Sequence, residues 1–221
     1  MTRPDLAGAY SELSKYVQFP GKTHMLAAEH VLDYLRGTWN QTIRYSRDSH
    51  EKPNILWGWV DVDWAGDTDT RRSHTGYILM MNVGPISWKS RRQDNVSLST
   101  SEAEFVAVSQ AGQEAIYLRE TLTDFGVSHT QATLLYADNT ACVTMSENPV
   151  RRKFSRHIDI CMHYVRELVL AGFLKLVTLR THKMVATVLT KSLPFPAFVG
   201  NRQIMAGHAS FAARLLHCVG S

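Results

Sequence analysis

The strongest constraint on the fold is a switch of hydrophobic period in mid-chain. Residues 55–64, 75–81 (TGYILMM) and 85–90 (PISWKS) are short β-branched and aromatic runs that read as three successive strands, with Gly84-Pro85 read as the turn between the last two. From residue 100 to 124 the period lengthens. Val106, Ala107, Ala111, Ala115, Leu118 and Leu122 then line one face of a long helix. Ser99 and Glu102 form a capping box at its start, each able to satisfy a free amide of the other. Beyond it, strands at 133–139 and 174–179 alternate with helices at 139–147, 156–171 and 183–191, the last stopped by LPFP. The order β-β-β-α-β-α-α-β-α implies an α/β fold, a five-stranded mixed sheet flanked by helices.

Flanking segments are less constrained. Residues 22–37 read as a helix with Met25, Ala28, Leu32 and Leu35 on its apolar stripe and Gly37 at its end. The polar stretch 46–54, SRDSHEKPN, is the best internal boundary. Residues 197–221 read as a loosely attached helical tail. The expected division is therefore 1–50, 55–195 and 196–221.

With 44% apolar residues among 221, the chain can bury a core without a disulfide or metal staple. Cys142, Cys161 and Cys218 are odd in number and include no C-x-x-C pair, which argues against a secreted disulfide framework and for a reducing, intracellular compartment. No apolar run is long enough for a membrane span. A net charge of +4 is compatible with a polyanionic partner without demanding one.

The run WVDVDWAGD, residues 59–67, ends a strand on aspartates, which strands disfavour. Asp61 sits late in that strand, Glu104 in the first turn of the long helix and Asp138 at the end of the fourth strand. Brought together, such carboxylates repel unless a hard cation such as Mg²⁺ lies between them. Each also has a plainer reading. Asp138 can cap the helix that follows, and Glu104 suits a helix N-terminus with or without metal. Asp63, Asp67 and Asp69 read as a solvated turn. A calcium loop is excluded, because its twelfth position would be Arg72 in place of a bidentate glutamate.

Two basic groups are candidates for tracking phosphates: Arg71, Arg72, Lys89, Arg91 and Arg92, with Trp88 beside them, and Arg151, Arg152, Lys153 and Arg156. Solvated loop charge is the competing reading for both. His157, Cys161 and His163 lack the second ligand pair of a zinc site and read as packing.

Several blocks carry more than periodicity. WVDVDWAGDTDTRRSHTGYILM, GPISWKSRRQDNVSLSTSEAEFVAVSQAGQEAIYL, ADNTACV, SRHIDICMHYVRE and VATVLTKSLP resemble, in order and spacing, the ribonuclease H domain of copia-type LTR-retrotransposon polyproteins. RPDLAGAYSELSKYVQFPGKTHMLAAEHVLDYLRGT is similar to the end of the same family's reverse transcriptase domain. The resemblance implies a ribonuclease H-like fold and cleavage of the RNA strand of an RNA–DNA hybrid with two Mg²⁺ or Mn²⁺ ions. It also implies a reverse transcriptase as partner and a cytoplasmic, virus-like-particle setting. The family's catalytic, metal-holding acids fall on Asp61, Glu104 and Asp138. The fourth acid is missing: the family's Val-Ala-Asp-Ile-Leu-Thr-Lys reads here Val185-Ala186-Thr187-Val188-Leu189-Thr190-Lys191. Thr187 implies a weakened metal site, and a catalytically impaired hybrid-binding module is the alternative. His182, in the preceding loop, reads as solvated rather than as an aid to product release.

Overall fold

The computed structural model describes residues 2–46, 54–147 and 156–210. Arg151, Arg152, Lys153, most of the 46–54 boundary and residues 211–221 with Cys218 lie outside them. One five-stranded sheet carries the molecule, in the order β3-β2-β1-β4-β5. β1 (Trp57–Asp63), β2 (His74–Met81) and β3 (Gly84–Arg92) form an antiparallel meander. β4 (Thr133–Ala137) and β5 (Leu174–Thr178) add to β1 in parallel. The mixed sheet flanked by helices is the architecture expected from the sequence.

Alternation along β1 sorts its side chains to two cores. Val60 and Val62 pack with Tyr77, Leu79 and Leu135 under α3 (Thr100–Asp124) and α5 (Arg156–Leu170). Trp59 faces the other way, with Ile78 and Met80, under a 3₁₀ turn at Val185–Leu189 and α6 (Phe195–Met205). The segment expected as a helix over 183–191 is thus two 3₁₀ turns, Thr181–Lys183 and Val185–Leu189. The tail is less loose than expected, because Ile204 and Met205 of α6 are buried in the second core.

The β2–β3 turn also departs from expectation. Its two loop residues are Asn82 (φ 49°) and Val83 (φ 63°), and Gly84 and Pro85 already belong to β3. A two-residue hairpin loop needs positive φ at both positions to match strand twist. Gly84 serves a different purpose: a Cβ there would strike the ring of Tyr45, whose hydroxyl donates to the Pro85 carbonyl at 2.6 Å. A valine in the left-handed region is strained. Val83→Gly is therefore expected to stabilise the fold by about 1 kcal/mol, read as a higher denaturation midpoint.

The N-terminal segment places Ala7 in the second core and adds polar contacts around Tyr34. Tyr34 donates to Asp5 at 2.6 Å and accepts from Arg202 at 3.0 Å, while Arg3 grips Asp5 at 2.8 Å. The expected apolar stripe of α2 (Lys22–Gly37) does not enter a core. No residue of this helix is buried, and Met25 and Leu32 are 52% and 54% exposed. No helix among the described residues is long and apolar enough to cross a membrane.

Candidate active site

The parallel pairing of β1 and β4 brings two of the acids together. Trp59 is in register with Tyr136. Asp61 lies near the end of β1 and Asp138 just past the end of β4, so both come from the same end of neighbouring parallel strands. Glu104 approaches from α3, which packs on β1. Asp61 is 1% and Glu104 2% exposed.

The capping residues release these acids from structural duty. Ser99 accepts from the Glu102 amide at 3.3 Å, as the capping box requires. The Glu102 carboxylate instead accepts from the amide of Leu98 at 2.8 Å, one residue earlier than expected. At α4 (Thr140–Glu147) the cap is Asn139, whose side chain accepts from the Cys142 amide at 3.1 Å. Asp138 is therefore not the cap, and its Oδ2 accepts from Thr181 at 3.2 Å.

Asp61 and Glu104 each feel the other's charge or that of Asp138. Burial pushes Glu104 up to about 9, with the negative charges of Asp138 and Asp61 adding to the effect and Lys191 opposing it. Burial likewise raises Asp61 to about 6, against the ammonium of Lys191 and a hydrogen bond from Thr190. Asp61 Oδ1 and Glu104 Oε2 are buried without a hydrogen-bond partner. Such oxygens are costly unless a cation or proton meets them. The donor chemistry fits a hard divalent ion. Among the described residues, however, no group of three or more His, Cys, Asp or Glu side chains is drawn close enough to form a metal cage.

Thr187 lies in the Val185–Leu189 turn, 4% exposed, with Oγ1 unpartnered. Sequence reasoning assigned nothing to Thr190 and Lys191. Yet Thr190 donates to Asp61 Oδ2, and Lys191 Nζ stands 4.0 Å from the same oxygen. Their place in the VATVLTKSLP block was the only available signal. His182 is exposed beside Thr181.

The first basic group does not form a single patch. Alternation splits it, with Lys89 and Arg91 on one face of edge strand β3 and Arg92 on the other. Arg91 pairs with Asp94 at 3.0 Å, both exposed. Arg92 reaches Asp67 at 2.6 Å. Arg71 is exposed and Arg72 half-buried in the loop before β2. Asp67, expected in a solvated turn, is buried. Burial would raise its carboxyl, but Thr70, Arg92 and Lys15 outweigh that and hold it down at about 2. Asp67→Asn is expected to cost about 1–3 kcal/mol at neutral pH. The aspartate's contribution is full above its unfolded value of 3.8 and is lost as pH falls toward 2, so acid melts of the two proteins should converge. His157 and His163 are exposed while Cys161 packs with Val106 and Ile158, so no zinc grouping forms there.

No family model matches the chain. A Retrovirus-related Pol polyprotein from transposon TNT 1-94 of Nicotiana tabacum is 35% identical over 209 residues, 95% of this chain and 15% of that protein. The corresponding polyprotein from transposon RE1 of Arabidopsis thaliana is 36% identical over 197 residues, 89% of this chain and 13% of its own length. Among solved structures, LC11-RNase H1 superposes with a TM-score of 0.48 at 13% identity, covering 62% of this chain and 93% of that one. The chain thus spans only about 15% of the polyproteins it matches. Over that segment it belongs to the Pol polyproteins of copia-type retrotransposons.

Proposed function

We propose that residues 55–195 form a divalent-metal-dependent endonuclease that cuts the RNA strand of an RNA–DNA hybrid during reverse transcription. Residues 1–50 would then be the end of a reverse transcriptase domain and 196–221 a C-terminal appendage, working beside the rest of that enzyme in a cytoplasmic particle. The observation that supports the reading is a pair of buried carboxylates, Asp61 and Glu104, each with an oxygen that has no hydrogen-bond partner and each held up by burial and by the charge of half-buried Asp138. Its support is membership of the retrotransposon Pol family.

In this reading Asp61, Asp138 and Glu104 would be the residues that hold the metal, the first two from adjacent strand ends and the third from the helix. Two Mg²⁺ or Mn²⁺ ions would supply an activated water and neutralise charge at the scissile phosphate. Glu104 keeps its proton at neutral pH in the metal-free protein, so it must surrender that proton when it becomes a ligand. Thr181 steadies Asp138. Lys191 offsets part of the negative charge around Asp61. Arg71, Arg72 and Lys89 are the basic residues of the first group with no ion pair to Asp or Glu among the described residues, and are assigned to phosphate contact.

A labelled RNA–DNA hybrid incubated with the chain and Mg²⁺, then Mn²⁺, tests the reading. Cleavage should leave 5′-phosphate and 3′-hydroxyl ends and fall about a thousandfold in Asp61→Asn. Undiminished cutting by that variant would place the chemistry elsewhere.

A second reading is favoured by Thr187, which puts a neutral, unpartnered hydroxyl where the family has an acid. The chain would then bind hybrids and cut them feebly or not at all. Salt-sensitive binding without cleavage in either metal distinguishes it.

A further inference from the structure

We propose that Thr190 is a positioning residue that dedicates one oxygen of Asp61 to the protein and leaves the other for an incoming cation. The proposal rests on the nuclease reading and deepens it. The Thr190 hydroxyl has a single proton and two acceptors in reach, Asp61 Oδ2 and the Thr187 carbonyl. That carbonyl already receives the backbone amides of Thr190 at 3.2 Å and Lys191 at 3.1 Å. The carboxylate is the charged, stronger acceptor, so the proton goes to Asp61.

The seat that holds Thr190 there is built into the sheet. Asp61 is in register with Gly76 on β2. A Cβ on Gly76 would lie 2.7 Å from both Leu189 Cβ and the Thr190 methyl, so glycine opposite Asp61 is what allows the turn to close over it. Ser90, in register with Gly76 from the other side, donates to the Leu189 carbonyl at 2.6 Å and ties the turn down one residue before Thr190. Thr190 and Lys191 both address Oδ2, and Oδ1 is the buried oxygen with no partner. Fixing the carboxylate's rotation in this way spares a cation the cost of ordering it.

The test uses the full chain and Mn²⁺, with binding followed by the electron paramagnetic resonance signal of the free ion. Thr190→Val removes the hydroxyl at nearly constant volume and should weaken Mn²⁺ binding about 10- to 100-fold. Thr190→Ser keeps the hydroxyl and should stay within about threefold of the parent. Unchanged affinity in the valine variant, or a tenfold loss in the serine variant, overturns the proposal. Should the valine variant not fold, the serine variant and Gly76→Ala, which displaces the turn and should lower affinity, still decide it. A metal-free double-mutant cycle separates this idea from the nuclease reading: the melting-temperature loss caused by Thr190→Val should shrink by at least half in an Asp61→Ala background. A parent chain that binds no Mn²⁺ while the cycle shows coupling would sink the nuclease reading alone. Additive effects in the cycle would sink the pairing of Thr190 with Asp61.

Discussion

Replacing Glu104 with glutamine is expected to abolish hybrid cleavage and, in the same protein, to raise the melting temperature of the metal-free chain at pH 8. The two effects have one cause. Glu104 is 2% exposed and shares its hollow with Asp61 and Asp138. Its proton is held up to about 9 in the fold, against 4.5 for an ordinary glutamate. Between those values the folded chain carries a proton that the unfolded chain has already released. Stability therefore falls as pH rises through this window. Asp61 contributes in the same direction between 3.8 and about 6. Glutamine keeps the shape and removes the charge, a gain on the order of a few kcal/mol at pH 8 that vanishes by pH 4. Melts in a chelator from pH 4 to 9 measure it. A stability difference that does not change with pH would mean that Glu104 is not in the coupled cluster. Adding Mg²⁺ should stabilise the parent far more than the glutamine variant, because the variant lacks the Glu104 carboxylate that would meet the ion.

Thr187→Asp should act in the opposite sense, raising cleavage while lowering metal-free stability. Thr187 is 4% exposed and its hydroxyl has no partner, so an aspartate there adds another carboxylate to a buried turn against β1 and β2. Without metal that carboxylate is repelled and poorly solvated, and a loss of about 1–3 kcal/mol at pH 7 is expected. With Mg²⁺ it completes the ligand set, and cleavage should rise about 10- to 100-fold with a lower Mg²⁺ requirement. Side-by-side rates across a Mg²⁺ titration check this. An aspartate variant with the parent's rate and the parent's stability would show that position 187 does not address the acids.

Much of the scaffold was legible because its signals are local. Short β-branched and aromatic runs marked β1, β2 and β3, and the 3.6-residue period marked α3. Ser99 capped the helix as its position implied. Local reading failed where a distant contact decided the outcome. Arg92, a candidate for phosphate contact, is held by Asp67, 25 residues away. The stripe on α2 is a sound helical pattern, yet burial depends on what packs against it, and there the chain offers polar anchors through Tyr34. The hairpin turn lies at Asn82 and Val83, and Gly84 instead lets the ring of Tyr45 pass close to β3.

The sequence by itself determined the order of strands and helices and the acids at their ends, since each depends on residues within a few positions of one another, while the missing fourth acid was implied by resemblance to the family. Only the tertiary structure decided that Asn139 caps α4 and leaves Asp138 available, and that Thr190 reaches back across 129 residues to Asp61. The first is a local choice between two adjacent capping residues; the second follows from sheet register and from the turn folded over Gly76, and a long-range contact of that kind has no periodic trace in the chain.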